Sequence, residues 1–272
     1  MTEKIILISG STDGIGYQAA IELVKSDFHV IIHGRNKEKA EFTLGRIKSI
    51  TKRKNVSIVY ADLCSFNQIK EMANDINNNY DRLDVLINNA GVFKPERSLT
   101  EEGFESTFAV NYIAPFLLTN LLLESLKKSK SGKIVNVVSR VHSNHFDFND
   151  LQFKMGYTGV KAYAKSKTAL ILFTYALAEK LKNINITINC LHPGVINTKL
   201  LRSAYGTYGA PVLEGAKTLI YAATAPELKN VTGKYFVNNH PEPSKDITYN
   251  KETMNMLWSK TEELIGLKFD LL

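Results

Sequence analysis

The sequence predicts an open α/β fold: a doubly wound parallel sheet of about seven strands with helices on both faces, in one domain over residues 1–272. Three observations predict it. Short β-rich apolar runs alternate with longer stretches in which apolar residues recur every three or four positions, the alternation that builds βαβ units. A glycine-rich turn follows directly on the first of those runs. No solenoid-like repeat and no linker rich in Pro, Gly or Ser breaks the pattern.

The strands are expected at Ile5 to Ile8, His29 to Ile32, Val56 to Tyr60, Val85 to Ile87, Ile134 to Val138, Ile186 to Leu191 and Tyr235 to Val237. Each is a short, nearly continuous apolar run, as a strand covered on both faces requires. Between them, helical periodicity covers Ile15 to Lys25, Lys37 to Ile50, Gln68 to Asn79, Phe104 to Lys128, Tyr163 to Leu181 and Glu214 to Ala225. Right-handed crossovers then place helices on both sides of the sheet. Residues 140–156 and 196–212 lack either period and read as loops long enough to carry function.

Composition narrows the function classes. With 44 % hydrophobic and 22 % charged residues, the chain can bury a core and is not disordered. Cys64 and Cys190 are too few for a disulfide framework and lie in no zinc-type spacing, so no metal is expected and the thiols are expected to be reduced. The longest apolar run near the amino terminus is Ile5 to Ile8, far short of a signal peptide or a span. A soluble, cytoplasmic protein without a membrane anchor is the expectation, and the triplets at Asn55, Asn185 and Asn230 are chance rather than glycosylation sites. The net charge of +7 favours anionic ligands. Its two basic clusters, Arg46 to Lys54 and Lys127 to Lys133, contain no aromatic residue and read as cationic helix ends, not as a nucleic-acid face.

Ser9-Gly10-Ser11-Thr12-Asp13-Gly14-Ile15-Gly16 joins the first strand to the first helix. Glycines at 10, 14 and 16 let the backbone turn tightly and approach a pyrophosphate, held by free amides at the positive end of the helix. The spacing is neither G-x-G-x-x-G nor a P-loop. The second strand runs into Arg35, Asn36 and Lys37, with no carboxylate before Glu38 where an NAD site would hold the ribose hydroxyls. Arg35 instead offers a guanidinium to a 2′-phosphate, so NADP(H) is expected over NAD(H).

Tyr163 and Lys167 lie four apart on one helix face. A phenol is a poor acid or base near neutral pH, and a neighbouring ammonium favours its ionised form. Ser139 ends the fifth strand at the carboxyl edge of the sheet, where such folds bind ligands, with a hydroxyl to offer a carbonyl.

These residues carry a resemblance over nearly the whole chain: it resembles the short-chain dehydrogenases/reductases, and among them the retinol dehydrogenase-like proteins. The glycine loop, Asp62-Leu63, Asn88 to Gly91, Asn111, Ser139, Tyr163-x-x-x-Lys167 and His192 to Val195 with Thr198 stand in family order. The resemblance implies a Rossmann sheet with NADP(H) along its carboxyl edge. Gly10 to Gly16 would then hold the pyrophosphate, Asp62 and Leu63 the adenine, and Asn89, Ala90 and Gly91 the cofactor trough. Pro193, Gly194, Val195 and Thr198 would meet the nicotinamide. Tyr163 becomes the acid/base, Lys167 binds the ribose and lowers the tyrosine, Ser139 orients the carbonyl, and Asn111 supports a water-mediated relay. Segments 140–156, with His142 and Phe148 to Leu151, and Gly233 to Phe236 resemble the retinol dehydrogenase-like branch. The helices 104–128 and 163–181 resemble those through which the family forms homodimers or homotetramers.

The expected activity is therefore NADPH-dependent interconversion of a carbonyl and an alcohol. A non-catalytic NADP(H)-binding regulatory protein would need the glycine loop but not Ser139, Tyr163 and Lys167. A sugar-nucleotide epimerase would need a carboxyl-terminal domain for which too little chain remains. Phe93, Phe146, Phe148, Met155, Ile196, Leu200, Leu201, Tyr205 and Tyr208 suggest an apolar substrate wall, whereas Arg97, Arg140, His142 or Arg202 facing inwards would select an anion.

Overall fold

A computed structural model describes residues 3–270; the outermost two residues at each end of the expected 1–272 domain lie outside the described residues. The elements run β1 (Ile5–Ile8), α1 (Gly14–Lys25), β2 (His29–Gly34), α2 (Lys37–Thr51), β3 (Val56–Tyr60), α3 (Phe66–Asn79) and β4 (Val85–Asn88). Then follow α4 (Ser106–Phe108), a π turn (Ala109–Ile113), α5 (Ala114–Leu121), α6 (Leu123–Lys127), β5 (Gly132–Val137), α7 (Gly159–Lys180) and β6 (Ile186–His192). The chain closes with α8 (Lys199–Tyr205), α9 (Val212–Thr224), β7 (Tyr235–Val237), β8 (His240–Glu242) and α10 (Lys251–Ile265).

One sheet of order β3-β2-β1-β4-β5-β6-β7-β8 joins all the strands. The seven expected strands are parallel, and their side chains alternate between two apolar layers. Leu7, Ile31, Leu86 and Ile134 face the layer of α3, α5 and α7, while Ile6, Ile8, Val30, Ile32 and Ile87 face that of α1 and α9. The order reverses between β1 and β4, so the loops leaving their carboxyl ends diverge and open a crevice. Ile6, Leu7 and Ile8 pair with Val85, Leu86 and Ile87, which sets those two loops side by side.

The structure corrects several expectations. The eighth strand, β8, pairs antiparallel with β7 through a two-residue turn at Asn238 and Asn239, whose φ of 49° and 65° suit a hairpin of primed type. Pro241 is tolerated because β8 is the edge. The helix expected over Phe104 to Lys128 starts only at Ser106 and is interrupted twice. Pro115, at the start of α5, has no N–H to give to the carbonyl four residues back at Asn111, and the π turn falls there. The expected loop 196–212 contains α8, which ends where Gly206 turns left-handed at φ 60°.

α10 lies across α5 and α7. Trp258 meets Phe116 edge-on at 4.9 Å and Phe173 at 5.8 Å between ring centres, and Tyr112 Oη lies 2.6 Å from Thr261 Oγ1. The Phe116 and Phe173 faces of the two helices tied to a homo-oligomer by resemblance are thus covered by the chain's own carboxyl-terminal helix. Among the described residues, no helix is long and apolar enough to cross a membrane.

Candidate active site

The crevice at the switch point is a cleft of about 560 Å³ along the carboxyl edge of the sheet. Its floor is built where the β1 and β4 loops touch. Ser9 Oγ accepts the N–H groups of Asn89 and Ala90, both at 3.0 Å, and Asn89 Nδ2 returns bonds to the Ser9 and Gly10 carbonyls. Gly10 must be glycine twice over: its φ is +63°, and a Cβ would stand 2.8 Å from Ala90 Cα. The turn continues into α1, capped by Asp13, whose Oδ1 accepts Gly14 N–H at 2.8 Å. The amides of that first turn have no partner inside the helix and carry its positive end.

At the adenosine end, Arg35, Lys39, Asp62 and Leu63 line the cleft. Arg35 is exposed and has no ion-pair partner among the described residues. The buried His33, not singled out from sequence, shapes this end. Its Nδ1 accepts Gly10 N–H at 3.0 Å, so its Nε2 donates to the Ala61 carbonyl, and burial pushes it down to about 4, holding it neutral. A histidine next to the last residue of β2, beside the glycine loop, was the available signal.

Four expected cofactor or catalytic residues do not wall the cleft. Ser11 is buried and serves the loop, donating to Ile8 O at 2.7 Å and accepting His33 N–H at 2.9 Å. Gly16 is a packing position, where a Cβ would lie 2.5 Å from Asn89 Nδ2. Asn36 caps α2 by accepting Lys39 N–H. Asn111, in the π turn, sits behind Gly91: its Oδ1 accepts Val92 N–H at 2.8 Å, and its Nδ2 donates to Val92 O and Ser166 Oγ. The remaining expected residues, Gly10, Thr12, Asp13, Gly14, Ile15, Asn89, Ala90, Gly91, Pro193, Gly194, Val195 and Thr198 among them, do line it.

Ser139, Tyr163 and Lys167 meet at the far end of the cleft, 8 %, 7 % and 3 % exposed. Ser139 Oγ accepts Val141 N–H at 3.0 Å, which leaves its own O–H to donate. Burial pushes the Tyr163 phenol up to about 12, against an opposing hydrogen bond with the Ser139 side chain. The net shift is upward, and the lowering by Lys167 that the resemblance implies has no part in it. Lys167 Nζ lies 5.6 Å from the Tyr163 ring centre and donates to Val137 O at 2.8 Å. Burial pushes its ammonium down to about 8.

Val92, Val141, Ile196, Leu200, Leu201 and Tyr205 make the apolar wall beside these groups. Phe93 stands behind it, 6.1 Å from Tyr163 and 6.4 Å from Tyr205 between ring centres. The other expected wall residues are elsewhere. Phe146 and Phe148 pack on each other at 5.1 Å, and Met155 and Tyr208 are exposed. The cations that argued for an anionic substrate are engaged: Arg140 grips both Glu242 oxygens at 2.9 and 3.0 Å, Arg97 donates to Gln152 O, and Arg202 to Asn197 Oδ1. His192, named from sequence only as the start of the motif running to Val195, also lines the cleft; burial holds it neutral, and its Nδ1 has no partner among the described residues.

Residues 4–208 match the family model described as short chain dehydrogenase. Over 97 % of its length the chain is 39 % identical to human polyprenol dehydrogenase, covering 86 % of that protein. It is 37 % identical to mouse retinol dehydrogenase 13, with 97 % of this chain and 84 % of that one covered. Among solved structures, a short chain dehydrogenase from Escherichia coli CFT073 complexed with NADPH superposes with a TM-score of 0.72 at 28 % identity, covering 87 % of this chain and 96 % of the other.

Proposed function

The chain belongs to the short chain dehydrogenase family, with retinol dehydrogenase-like relatives, and we propose that it is an NADP(H)-dependent oxidoreductase interconverting a lipophilic aldehyde or ketone with its alcohol. The observation that carries this reading is the convergence of a donor hydroxyl at Ser139, a protonated phenol at Tyr163 and a buried ammonium at Lys167 on the wall of a cleft that begins at a glycine loop.

The residues fit a nicotinamide dinucleotide. Gly10 and Gly14 turn at positive φ with no side chain between loop and cleft, and the first-turn amides of α1 suit the pyrophosphate. Arg35 and Lys39 supply cations where a carboxylate would repel a 2′-phosphate, which supports NADP(H), as does the relative solved with NADPH. When bound, the cofactor supplies or takes the hydride. Ser139 holds the carbonyl oxygen by donating its O–H. Tyr163, kept protonated by burial, transfers its proton to that oxygen during reduction and recovers it in oxidation. Lys167, with N–H groups beyond the one given to Val137 O, holds the ribose and leads the proton path, which Asn111 continues behind Gly91.

A lipophilic substrate is supported by the apolar wall and by the relatives' names, polyprenol and retinol dehydrogenase. The experiment is NADPH depletion over a series of aliphatic aldehydes. Burial of about 0.8 kcal/mol per methylene gives a gain in kcat/KM of a few-fold per carbon. A flat series with a clear preference for keto acids refutes the apolar reading.

A further inference from the structure

We propose that the carboxyl-terminal segment around β8 braces the reacting serine, with His142 as the positioning residue that links the two; the inference rests on the reading of Ser139 as the group that holds the substrate oxygen. Lys245 N–H points at His142 Nε2 at 3.2 Å, and a backbone amide can only donate. His142 Nε2 is therefore the bare nitrogen and Nδ1 carries the hydrogen, which it gives to the Ser139 carbonyl at 2.9 Å. The imidazole thus bridges the main chain of the serine to the main chain of residue 245, about a hundred positions along the sequence.

Two further ties flank it. Arg140 grips Glu242 with both oxygens within 3.0 Å, and Asn144 Oδ1 accepts Ile247 N–H at 3.0 Å. The His142 ring also stands edge-on to Tyr235 of β7 at 5.6 Å. Residues 140, 142 and 144 of the serine loop are therefore stitched one after another to residues 242, 245 and 247. The consequence reaches the hydroxyl. Ser139 Oγ is aimed by Val141 N–H, whose position depends on the same turn. The bracing residues lie beyond the 4–208 stretch shared with the family model, so this support comes from the chain's own carboxyl-terminal part.

Lys245 allows a clean test, because its φ of −67° is the value proline imposes. Lys245→Pro deletes the N–H that His142 accepts, whereas Lys245→Ala keeps it and removes only the charge. His142→Phe keeps a ring against Tyr235 but neither polar atom, and His142→Asn keeps a donor in the place of Nδ1 but not the acceptor at Nε2. Losing one such hydrogen bond, typically worth about 0.5–1.5 kcal/mol, corresponds to a fall in kcat of roughly 2- to 12-fold. Lys245→Pro, His142→Phe and His142→Asn all lose the bond to residue 245 and should show it with the KM for NADPH unchanged, whereas Lys245→Ala should match the wild type. Amide hydrogen exchange over residues 139–144 should be faster in Lys245→Pro than in Lys245→Ala. Equal exchange in those two proteins, or faster exchange with unaltered kcat, overturns the proposal. A wild-type protein without hydride transfer to any carbonyl refutes the functional reading instead, and the exchange comparison then decides alone whether the brace holds the serine loop.

Discussion

Replacing Lys167 by Met separates what this residue does for the fold from what it does for chemistry. The ammonium is 3 % exposed and burial pushes it down to about 8 from an ordinary 10.5. Between those values the unfolded chain holds a proton that the folded chain has lost, so wild-type stability rises with pH through the window. The Met variant has no such group, and its stability lacks that rise. At 1.36 kcal/mol per pH unit, the full window amounts to about 3 kcal/mol, of which roughly 2–3 kcal/mol falls between pH 7 and pH 10. Leaving Val137 O without its donor costs about 1–3 kcal/mol, but equally at both pH values, so it cancels from the comparison. Urea unfolding of both proteins at pH 7 and pH 10, without cofactor, measures the gap. Wild type minus variant should grow by roughly 2–3 kcal/mol towards pH 10. A gap that is constant, or that narrows, refutes the claim that the Lys167 ammonium is buried at a cost to the fold.

The other predictions concern recognition and packing. Arg35→Ala should abolish most of a 10- to 100-fold preference for NADPH over NADH, the range expected from about 1.5–3 kcal/mol for one charge-assisted hydrogen bond; equal kcat/KM for the two cofactors in the wild type contradicts the assignment. Trp258→Ala removes the ring packed on Phe116 and Phe173 and should cost about 3–5 kcal/mol in thermal or urea unfolding, whereas a loss under about 1 kcal/mol means that α10 does not hold α5 and α7.

What could be read in the sequence follows from which physical pattern each part obeys. Seven strands were legible because β1, β4 and β5 are buried on both faces and leave continuous apolar runs. β8 was not: three residues, one of them Pro241, read as a loop until Asn238 and Asn239 supply the turn. α10 was not assigned either: it buries only Thr253, Met254, Leu257, Trp258 and Thr261 within a polar stretch, too sparse a stripe to stand out as a helical period. The residues at the reacting centre were legible because their chemistry is rare at that spacing. The orientation of Ser11 and Asn36 was not legible for the opposite reason: a small polar residue in a turn can face outward or bond backbone, and here both side chains bond backbone. The direction of the Tyr163 shift could not be judged from spacing, since it turns on how deeply the phenol is buried.

The central claim is that the Tyr163 phenol carries the proton, and Tyr163→Phe tests it most directly because the ring remains and only the acid is lost. Turnover of carbonyl substrates by the variant and the wild type should be compared at saturating NADPH, with NADPH affinity measured by titration. The account predicts unchanged affinity and turnover lowered by at least roughly 10²- to 10⁴-fold. Turnover within a few-fold of the wild type contradicts it.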